Sequence, residues 1–341
     1  MKTRHTLTLG LAVAAGLLMS AKAFAASAYD LVLCAAVNRN YVIGSKLVTE
    51  NGLFRRTETG AFEHFGLNFP HLFQASFDPR DRNRVVMATL NGAVTSQDGG
   101  KSLRIATRWD MTEGKDVSRD PSALDHLYLA LPDGIAVSRD GGATWARCEN
   151  GLPNRGKYTQ TIEVDRTRAG RVLAGCESGI YLTEDAGKRW RRVLPTRATV
   201  GDVQQSPHDP TQWIAVTHED GAWMSRDRGV TWKQLPGLSP EHSLYNVAFD
   251  GSRRGRLAIS SWTFGVWVSE DDGQTWQQRI EGLPPESHGI SVGIDPGTGR
   301  LYLSVYQMDL YQSDDFGRTW RPAGLEGSTV HSFVFQPSAS R

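Results

Sequence analysis

Cysteine is scarce in this chain. Cys34, Cys148 and Cys176 are its three cysteines in 341 residues. Three cysteines do not make a disulfide framework, and no spacing among them resembles that of a zinc site. Each lies in or beside a predicted strand, so we expect buried thiols, although one pair could oxidise in a disulfide-permissive compartment. The sequence therefore argues against a disulfide-stapled module or a zinc knuckle.

The chain also lacks an excess of charge and has a single long apolar run. That run, residues 7–19, follows Lys2 and Arg4 and leads to small residues ending at Ala25. This is the order of a secretory signal peptide, so we predict one over residues 1–25 and a periplasmic or secreted protein. Without it, 35 basic and 37 acidic residues remain, a net charge near −2 that gives no support for nucleic-acid binding. No later segment is long and apolar enough to span a membrane.

Repetition is what the chain has in abundance. An eight-residue phrase recurs six times, with 42 to 45 residues between its successive aspartates. The copies are SQDGGKSL, SRDGGATW, TEDAGKRW, SRDRGVTW, SEDDGQTW and SDDFGRTW, with the aspartates Asp98, Asp140, Asp185, Asp227, Asp271 and Asp315. A constant period of this length is typical of repeat architectures such as propellers.

Each phrase has the chemistry of a closed hairpin turn, and it resembles the Asp-box of BNR-repeat proteins. The aspartate can accept N–H groups of its own turn, the glycine two residues later can adopt a positive φ, and the final Trp is an apolar anchor. Leu103 replaces the Trp in the first copy. We interpret the six aspartates as structural, because a hairpin explains their spacing without a metal or a substrate.

The rest of each repeat predicts further strands. An inner strand ends in Asp or Asp-Pro, as at residues 72–79, and a second strand and a third one, such as Gly179–Thr183, follow before the Asp-box. A GLP-like segment ends the outer strand, which makes four strands per repeat, the pattern of a propeller blade. A degenerate seventh copy has Glu58 in place of the aspartate, 40 residues before Asp98. We therefore expect seven blades.

The two ends of the chain complement each other. Residues 331–337 read as an inner strand that no blade follows, and residues 29–34 read as a second strand that no inner strand precedes. Pairing them would remove two free sheet edges. The predicted fold is all-β, a single seven-bladed propeller of four-stranded blades over residues 26–341, whose ring is closed by the N- and C-terminal strands.

Function in propellers is carried by loops. The loops leading into the inner strands should share one face, here called the channel face, with the loops that join second and third strands. The Asp-box turns should lie on the opposite face, here called the Asp-box face. Counting back from Asp-Pro aligns the polar residues that lead into the inner strands. These candidates for ligand or partner binding are His71, Glu113, Tyr158, Asp202, His242 or Ser243, His288 and His331. Solvation of a funnel would also explain their polarity.

The loops between second and third strands supply a different set of candidates. Glu177, Glu219 and Asp220 could form the carboxylate pair that glycoside hydrolysis needs, although no motif assigns them a role. Trp262 could stack on a sugar or pack against protein. The longest such loop runs from Asn38 to Asn51. Nothing in these patterns calls for a metal or a cofactor.

The chain resembles the photosystem II assembly and stability factor family and its bacterial relatives over nearly all of its mature length. The shared features are evenly spaced Asp-boxes, GLP-like segments and the size of a single secreted propeller. That resemblance implies a seven-bladed, non-enzymatic, protein-binding propeller. Sialidases also carry Asp-boxes, but their Phe-Arg-Ile-Pro phrase is missing here. Xyloglucan-degrading enzymes are similar in their blades, yet they combine two propellers around a cleft that one propeller of this length cannot form.

Two hypotheses about function remain open. The first is a periplasmic or secreted scaffold that binds a protein partner of the cell envelope, in the assembly or stability of an envelope complex. The second is a carbohydrate-active enzyme, a glycoside hydrolase or polysaccharide lyase, that uses acids and histidines of the same face. Short regular loops favour the non-enzymatic hypothesis, because an enzyme pocket usually needs longer walls.

Ring closure by the chain ends is open to a direct test. Deleting the last twelve residues, 330–341, removes the predicted closing strand and leaves unpaired sheet edges. We expect the truncated protein to unfold or aggregate, as followed by circular dichroism melts and size-exclusion chromatography. A truncated protein that melts like the full chain would rule out closure by these residues.

Overall fold

The structure is a computed structural model that describes residues 27–39, 48–69 and 71–338. The predicted signal peptide, and most of the loop that follows Asn38, lie outside these residues. Within the described ranges no helix is long and apolar enough to cross a membrane. The helix found there is a short 3-10 turn, Pro240–His242.

The described chain is all-β, as predicted. It forms five four-stranded sheets and one seven-stranded sheet, and the strand pairs are antiparallel. In chain order the strands are β1 (Tyr29–Arg39), β2 (Val48–Arg56), β3 (Phe62–Phe65), β4 (Leu72–Asp78), β5 (Asp81–Thr89), β6 (Gly92–Ser96), β7 (Arg104–Ile105), β8 (Asp116–Arg119), β9 (Leu127–Leu131), β10 (Gly134–Ser138), β11 (Ala146–Arg147), β12 (Thr159–Val164), β13 (Val172–Cys176), β14 (Gly179–Thr183), β15 (Arg191–Pro195), β16 (Val200–Gln205), β17 (Trp213–Thr217), β18 (Ala222–Ser225), β19 (Lys233–Gln234), β20 (Leu244–Phe249), β21 (Leu257–Ser261), β22 (Gly265–Ser269), β23 (Gln277–Gln278), β24 (Gly289–Ile294), β25 (Leu301–Val305), β26 (Met308–Ser313) and β27 (Arg321–Pro337).

Each four-stranded sheet is built from four consecutive strands, beginning with β4, β8, β12, β16 or β20. The seven-stranded sheet has the order β24-β25-β26-β27-β1-β2-β3. The long strand β27 pairs with β26 from Arg321 to Ser328 and with β1 from Ser328 to Pro337. The N-terminal and C-terminal strands of the described chain are therefore neighbours.

The first strand of each sheet packs against the first strand of the next. We call β4, β8, β12, β16, β20, β24 and the part of β27 over residues 330–337 the inner strands. Contacts run along this series in chain order, and β27 also contacts β4. Apolar side chains fill the space between sheets, as where Tyr128 of one sheet and Ile162 and Trp190 of the next share a cluster. Sheets packed face to face in this way are consistent with a propeller.

The Asp-box turns have the structure that the sequence predicts. In the second copy, Thr144 donates from its backbone N and its Oγ1 to the two carboxylate oxygens of Asp140, at 2.9 and 2.6 Å. Ser138 Oγ donates to Asp140 at 2.8 Å and accepts the Gly142 N–H at 2.8 Å. The same set recurs in four other copies, those of Asp98, Asp227, Asp271 and Asp315.

The backbone of these turns contains one feature that the sequence did not reveal. The residue before each box glycine is also left-handed, with φ of 60° at Ala186 before 82° at Gly187, and 60° at Phe316 before 82° at Gly317. Each Asp-box therefore has two successive residues with positive φ, within the loop that joins the third strand of a sheet to the fourth. Non-glycine residues bear this conformation because the aspartate holds the turn from inside.

Two of the box tryptophans also tie neighbouring sheets together. Trp190 Nε1 donates to the carbonyl oxygen of Cys148 at 2.7 Å, and Trp320 Nε1 donates to that of Arg279 at 2.9 Å. Both rings are buried. Each ring therefore acts as an anchor, as predicted, and it satisfies a carbonyl of the preceding sheet as well.

The three cysteines are free thiols. Cys34 and Cys176 are buried and Cys148 is half-buried. Burial raises the pKa of each thiol to about 12, which keeps it protonated and unreactive at neutral pH.

The Asp-box carboxylate should contribute measurably to stability. Asp271→Ala removes the acceptor for Thr275 N, Thr275 Oγ1 and Ser269 Oγ. We expect the free energy of unfolding to fall by about 1–3 kcal/mol, because the turn's donors lose their partner. Urea denaturation measures this change, with the exposed side chain of Glu281 replaced by Ala as the control. Equal denaturation midpoints for both variants would contradict a structural role for the aspartate.

Candidate binding face

Most inner strands begin with a β-bulge. In six of them the pairing register shifts by one residue near the start, which leaves one residue outside the ladder. The bulged residues are Phe73, Gln160, Gly201, Tyr245, Ile290 and His331. A bulge bends its strand and redirects a side chain. These positions therefore share one end of the inner strands, the end that the sequence assigns to the channel face.

A row of stacked rings crosses three sheets at this end. We call His218, Tyr245, Trp262, His288 and Tyr306 the aromatic row. Its ring centroids are 4.7 Å apart from His218 to Tyr245, 5.9 Å from Tyr245 to Trp262, and 4.5 Å from Trp262 to His288. Tyr306 lies against Trp262 at 5.4 Å and is 41% exposed. Because the other rings are half-buried, the row is a fixed surface that still reaches solvent.

Backbone hydrogen bonds hold the row in place. The N–H groups of His218, Trp262 and Tyr306 donate to carbonyl oxygens that precede the inner strands, at 3.1, 3.0 and 2.9 Å. The Nδ1 atom of His288 lies 2.7 Å from the carbonyl oxygen of Trp262. Each loop between a second and a third strand is therefore clamped to the loop that leads into its own inner strand.

A glycine makes the first contact of the row possible. A Cβ atom on Gly201 would lie 2.7 Å from the Tyr245 carbonyl oxygen and 3.3 Å from two ring atoms of His218. Any side chain at this bulge would displace one ring from the other. Burial lowers the pKa of His218, so this ring is mainly neutral at neutral pH and stacks without charge.

The other half of this face carries a cation between aromatic rings. The Lys115 ammonium, which directly precedes β8, lies 5.3 Å from the Phe73 ring centroid and 5.7 Å from that of Tyr158. Phe73 also meets His331 edge to face at 5.1 Å. Burial, with a smaller effect of the nearby His71, lowers the pKa of His331 to about 4. The same ammonium donates to Glu113 Oε2 at 3.4 Å, so its charge is paired within this face while the rings hold it on two sides.

Acidic side chains near the starts of inner strands join adjacent sheets. Asp116 accepts the N–H of Ile162 at 2.8 Å, and Asp202 accepts that of Val247 at 3.1 Å. Thr161 Oγ1 lies between the two carboxylates, at 3.2 and 3.3 Å. Each carboxylate therefore satisfies a backbone donor at the unpaired edge of the neighbouring inner strand.

Three acids in this region have raised pKa values. Burial raises the pKa of Asp116 to about 7, that of Asp202 to about 6 and that of Glu163 to about 8. The negative charges of Asp116 and Asp202 add to the effect on Glu163, and the Arg166 guanidinium opposes it. At neutral pH Glu163 is therefore mainly protonated, which is the state of a general acid. In the part of the chain that the structure describes, no three His, Cys, Asp or Glu residues are grouped to hold a metal ion.

The structure corrects the alignment of two predicted residues. Asp202 is the third residue of β16 and does not lead into it; Thr199 takes that place, and its carbonyl oxygen accepts the His218 N–H. The sequence alignment used Asp209-Pro210, whereas the turn that matches the other sheets begins at Ser206, whose N–H donates to the Gln212 carbonyl oxygen. His331 lies in the bulge of β27, inside the strand, because its inner strand begins at Val330.

The other predicted residues lead into inner strands as expected, with different surroundings. His71 and Glu113 are exposed and have positive φ values of 56° and 55°, and Tyr158 is half-buried beside Lys115. His288 belongs to the aromatic row. His242 packs inward, with its ring centroid 4.6 Å from that of Trp267 and its Nδ1 2.6 Å from Ser239 N.

The candidate carboxylates lie in two separate loops. Glu177 is exposed, and its Oε1 is 3.4 Å from Tyr158 N. Glu219 is exposed next to His218, and Asp220 is half-buried, with its N–H donated to Thr217 Oγ1 at 2.8 Å. A catalytic role for these three acids stays a prediction.

Sequence reasoning missed several residues of this face: Phe73, Lys115, Asp116, Glu163, Tyr245 and Tyr306. Three of them, Phe73, Asp116 and Tyr245, share a position within the first two residues of an inner strand. A bulge is invisible in a single sequence, so residues beside it read as ordinary strand residues.

Comparisons with known proteins agree with the Asp-box propeller resemblance. A family model described as Sortilin-Vps10, sortilin and neurotensin receptor 3, matches residues 178–283. The oligoxyloglucan-reducing end-specific xyloglucanase of Emericella nidulans is 27% identical over 218 residues, which are 55% of this chain and 25% of that enzyme. The chain thus spans about a quarter of the length of this curated relative.

Two solved structures show the same fold. The GH74 enzyme from Niastella koreensis is 15% identical with a TM-score of 0.64, covering 79% of this chain and 50% of the other. YCF48 bound to a D1 peptide is 18% identical with a TM-score of 0.58, covering 77% of this chain and 87% of the other. The resemblance to Asp-box propellers, YCF48 among them, is confirmed.

The raised pKa of Glu163 predicts a pH effect on stability. Between its ordinary value of 4.5 and about 8, the folded protein retains a proton that the unfolded chain releases. Raising the pH across this window should therefore destabilise the fold through Glu163. We expect Glu163→Gln, which stays neutral, to lose less stability than the wild type between pH 5 and pH 8, as measured by urea denaturation. The exposed Glu219→Gln serves as control, and parallel pH profiles for all three proteins would contradict the shift.

Proposed function

We propose that the chain forms a closed seven-bladed propeller that works as a binding scaffold. Support for closure comes from the inner strands, which contact one another in series from β4 to β24 and on to β27, which in turn contacts β4. Further support comes from the pairing of Tyr29–Val37 with Ser328–Pro337. Closure would leave both openings of the ring walled by the ends of inner strands.

In this proposal the aromatic row binds a protein partner of the cell envelope, and the chain acts in the periplasm or outside the cell. The row carries the proposal, because it presents half-exposed Tyr, Trp and His side chains across three sheets. Aromatic side chains are enriched at the energetic centres of protein interfaces. The clamped loops keep the surface rigid, which lowers the entropy lost on binding.

The chemistry of the row favours an extended, partly apolar segment as its ligand. The rings of the row contact one another and offer apolar surfaces side by side. The Lys115 ammonium lies on the other half of the channel face. YCF48, which has the same fold, has been solved bound to a D1 peptide. By analogy we infer that a peptide segment of an envelope protein lies along the row, in the assembly or stability of a complex.

A carbohydrate-active enzyme, a glycoside hydrolase or polysaccharide lyase, is the second candidate function. The observation in its favour is the cluster of Asp116, Glu163 and Asp202, in which Glu163 is mainly protonated at neutral pH. Glycoside hydrolysis needs one protonated and one ionised carboxyl group. Asp116 and Asp202 already accept backbone N–H groups, however, and this gives both carboxylates a structural role.

Site-specific photocrosslinking separates the two faces. A benzoylphenylalanine in place of Tyr306 reports on the aromatic row, and one in place of Lys101, in an Asp-box turn, reports on the opposite face. We expect a discrete crosslinked protein in envelope preparations from position 306 and none from position 101. Trp262→Ala, combined with the probe at 306, should reduce the crosslink roughly tenfold, as expected when an interface hot spot is lost.

The matched control is Trp109→Ala, which removes the most exposed tryptophan, 89% exposed, outside the aromatic row. It should leave the crosslink unchanged. A crosslink that survives Trp262→Ala would contradict binding through the row. Turnover of a xyloglucan or other glycan panel that disappears in Glu163→Gln would favour the enzyme instead.

A further inference from the structure

A second opening lies at the other end of the inner strands, away from the aromatic row. It is a cavity of about 500 Å³ walled by β4, β8 and the end of β27. Pro79 and Leu124, in the turns that follow β4 and β8, line its mouth. The row residues lie at or beside the starts of inner strands and this cavity lies toward their ends, so the two sites are separate.

One wall of the cavity is apolar. Phe77, Phe333 and Phe335 line it together with Val117 and Leu124. The three phenylalanine side chains are half-buried, so each retains surface that can contact a ligand. Concave sites lined by aromatic and aliphatic side chains, with a few polar groups, are the usual form of small-molecule sites.

Among the polar side chains that line the cavity, Arg119 is a buried cation. Its side chain is 7% exposed. Its Nη1 donates to the Leu124 carbonyl oxygen at 2.5 Å, whereas its Nε is shielded from solvent and has no hydrogen-bond partner among the described residues. A buried guanidinium with few hydrogen bonds is costly, and an acceptor that a ligand supplies to the face lining the cavity would recover part of that free energy.

The neighbouring acid does not meet this need. Asp78 Oδ2 is 3.7 Å from Arg119 Nη1, beyond hydrogen-bonding distance. Both Asp78 oxygens are already engaged by Arg80, at 2.8 and 2.7 Å, and this pairing lowers the pKa of Asp78 to about 2. Arg82, at the rim of the cavity, is paired with Asp30 at 2.6 Å.

We propose that this cavity binds a small organic anion, a monocarboxylate that carries an aromatic or aliphatic group. The carboxylate accepts a hydrogen bond from the Arg119 guanidinium, and the apolar group packs against Phe77 and Phe335. The positive charge of the Arg119 guanidinium is partly offset by Asp78. A ligand with a single negative charge therefore matches the cavity better than a phosphate dianion does. This site does not depend on the proposed partner-binding function of the aromatic row.

Calorimetric titration of the full protein with 4-phenylbutyrate tests the proposal, with octanoate as an aliphatic probe and 4-phenylbutanol as a neutral analogue. We expect the acid to bind roughly tenfold more tightly than the alcohol, the scale of one charged hydrogen bond. Arg119→Gln should remove this preference. Arg108→Gln, an exposed arginine that is not among the cavity's lining residues, should bind like the wild type.

A second variant tests the cavity independently of whether Arg119→Gln folds. Leu124→Trp fills the mouth of the cavity but keeps the backbone carbonyl that Arg119 needs, so it should fold and abolish binding. Equal affinity for acid and alcohol, unchanged binding in Leu124→Trp, or no binding of either acid at millimolar concentration would overturn the proposal. Binding of a peptide C-terminus in place of the free acids would equally count against a small-molecule site.

Discussion

Every inner strand has a hydrogen-bonded neighbour on one side only, so the N–H groups of its other edge must find acceptors elsewhere. The preceding sheet supplies them. Asp116 accepts from Ile162, Asp202 from Val247, and the amide oxygen of Asn246 accepts from Val292 at 2.9 Å. An unsatisfied edge would be costly where water is scarce, and it would also invite pairing with another chain. The packing of sheets therefore depends on side chains that cross from one inner strand to the next.

The same positions explain why the channel face looks as it does. Two of these crossing side chains follow directly after a bulge, since Asn246 follows Tyr245 and Asp202 follows Gly201, whereas Asp116 is the first residue of β8. The crossing side chain holds the strand to its neighbour, while the bulge releases the preceding residue from the ladder. That residue can then point toward the mouth. Tyr245 contributes to the aromatic row in this way, whereas His218, Trp262, His288 and Tyr306 come from the adjoining loops.

The sequence could predict what depends on local chemistry. The Asp-box turns, their glycines and their Trp anchors follow from residue types at fixed spacing, and the structure has them in place. The residues of the channel face were harder to predict, because their positions depend on the pairing register of the inner strands. Ser206-Pro207 and Asp209-Pro210 offer two alignments of β16, and the choice moves the predicted residue from Thr199 to Asp202. Arg119 was missed for another reason, since a charged residue at the end of a strand is normally exposed, whereas here it is buried.

The two ends of the inner strands cannot serve one compact ligand. β20 has six residues, which at about 3.3 Å per residue separates its ends by about 20 Å. Stacked rings and an ammonium lie at one end, and phenylalanines with a buried guanidinium lie at the other. The first surface is open and spread over three sheets, which suits a chain that lies across it. The second is concave and holds a buried cation, which suits a small molecule. Because different residues form the two sites, each can be altered without touching the other.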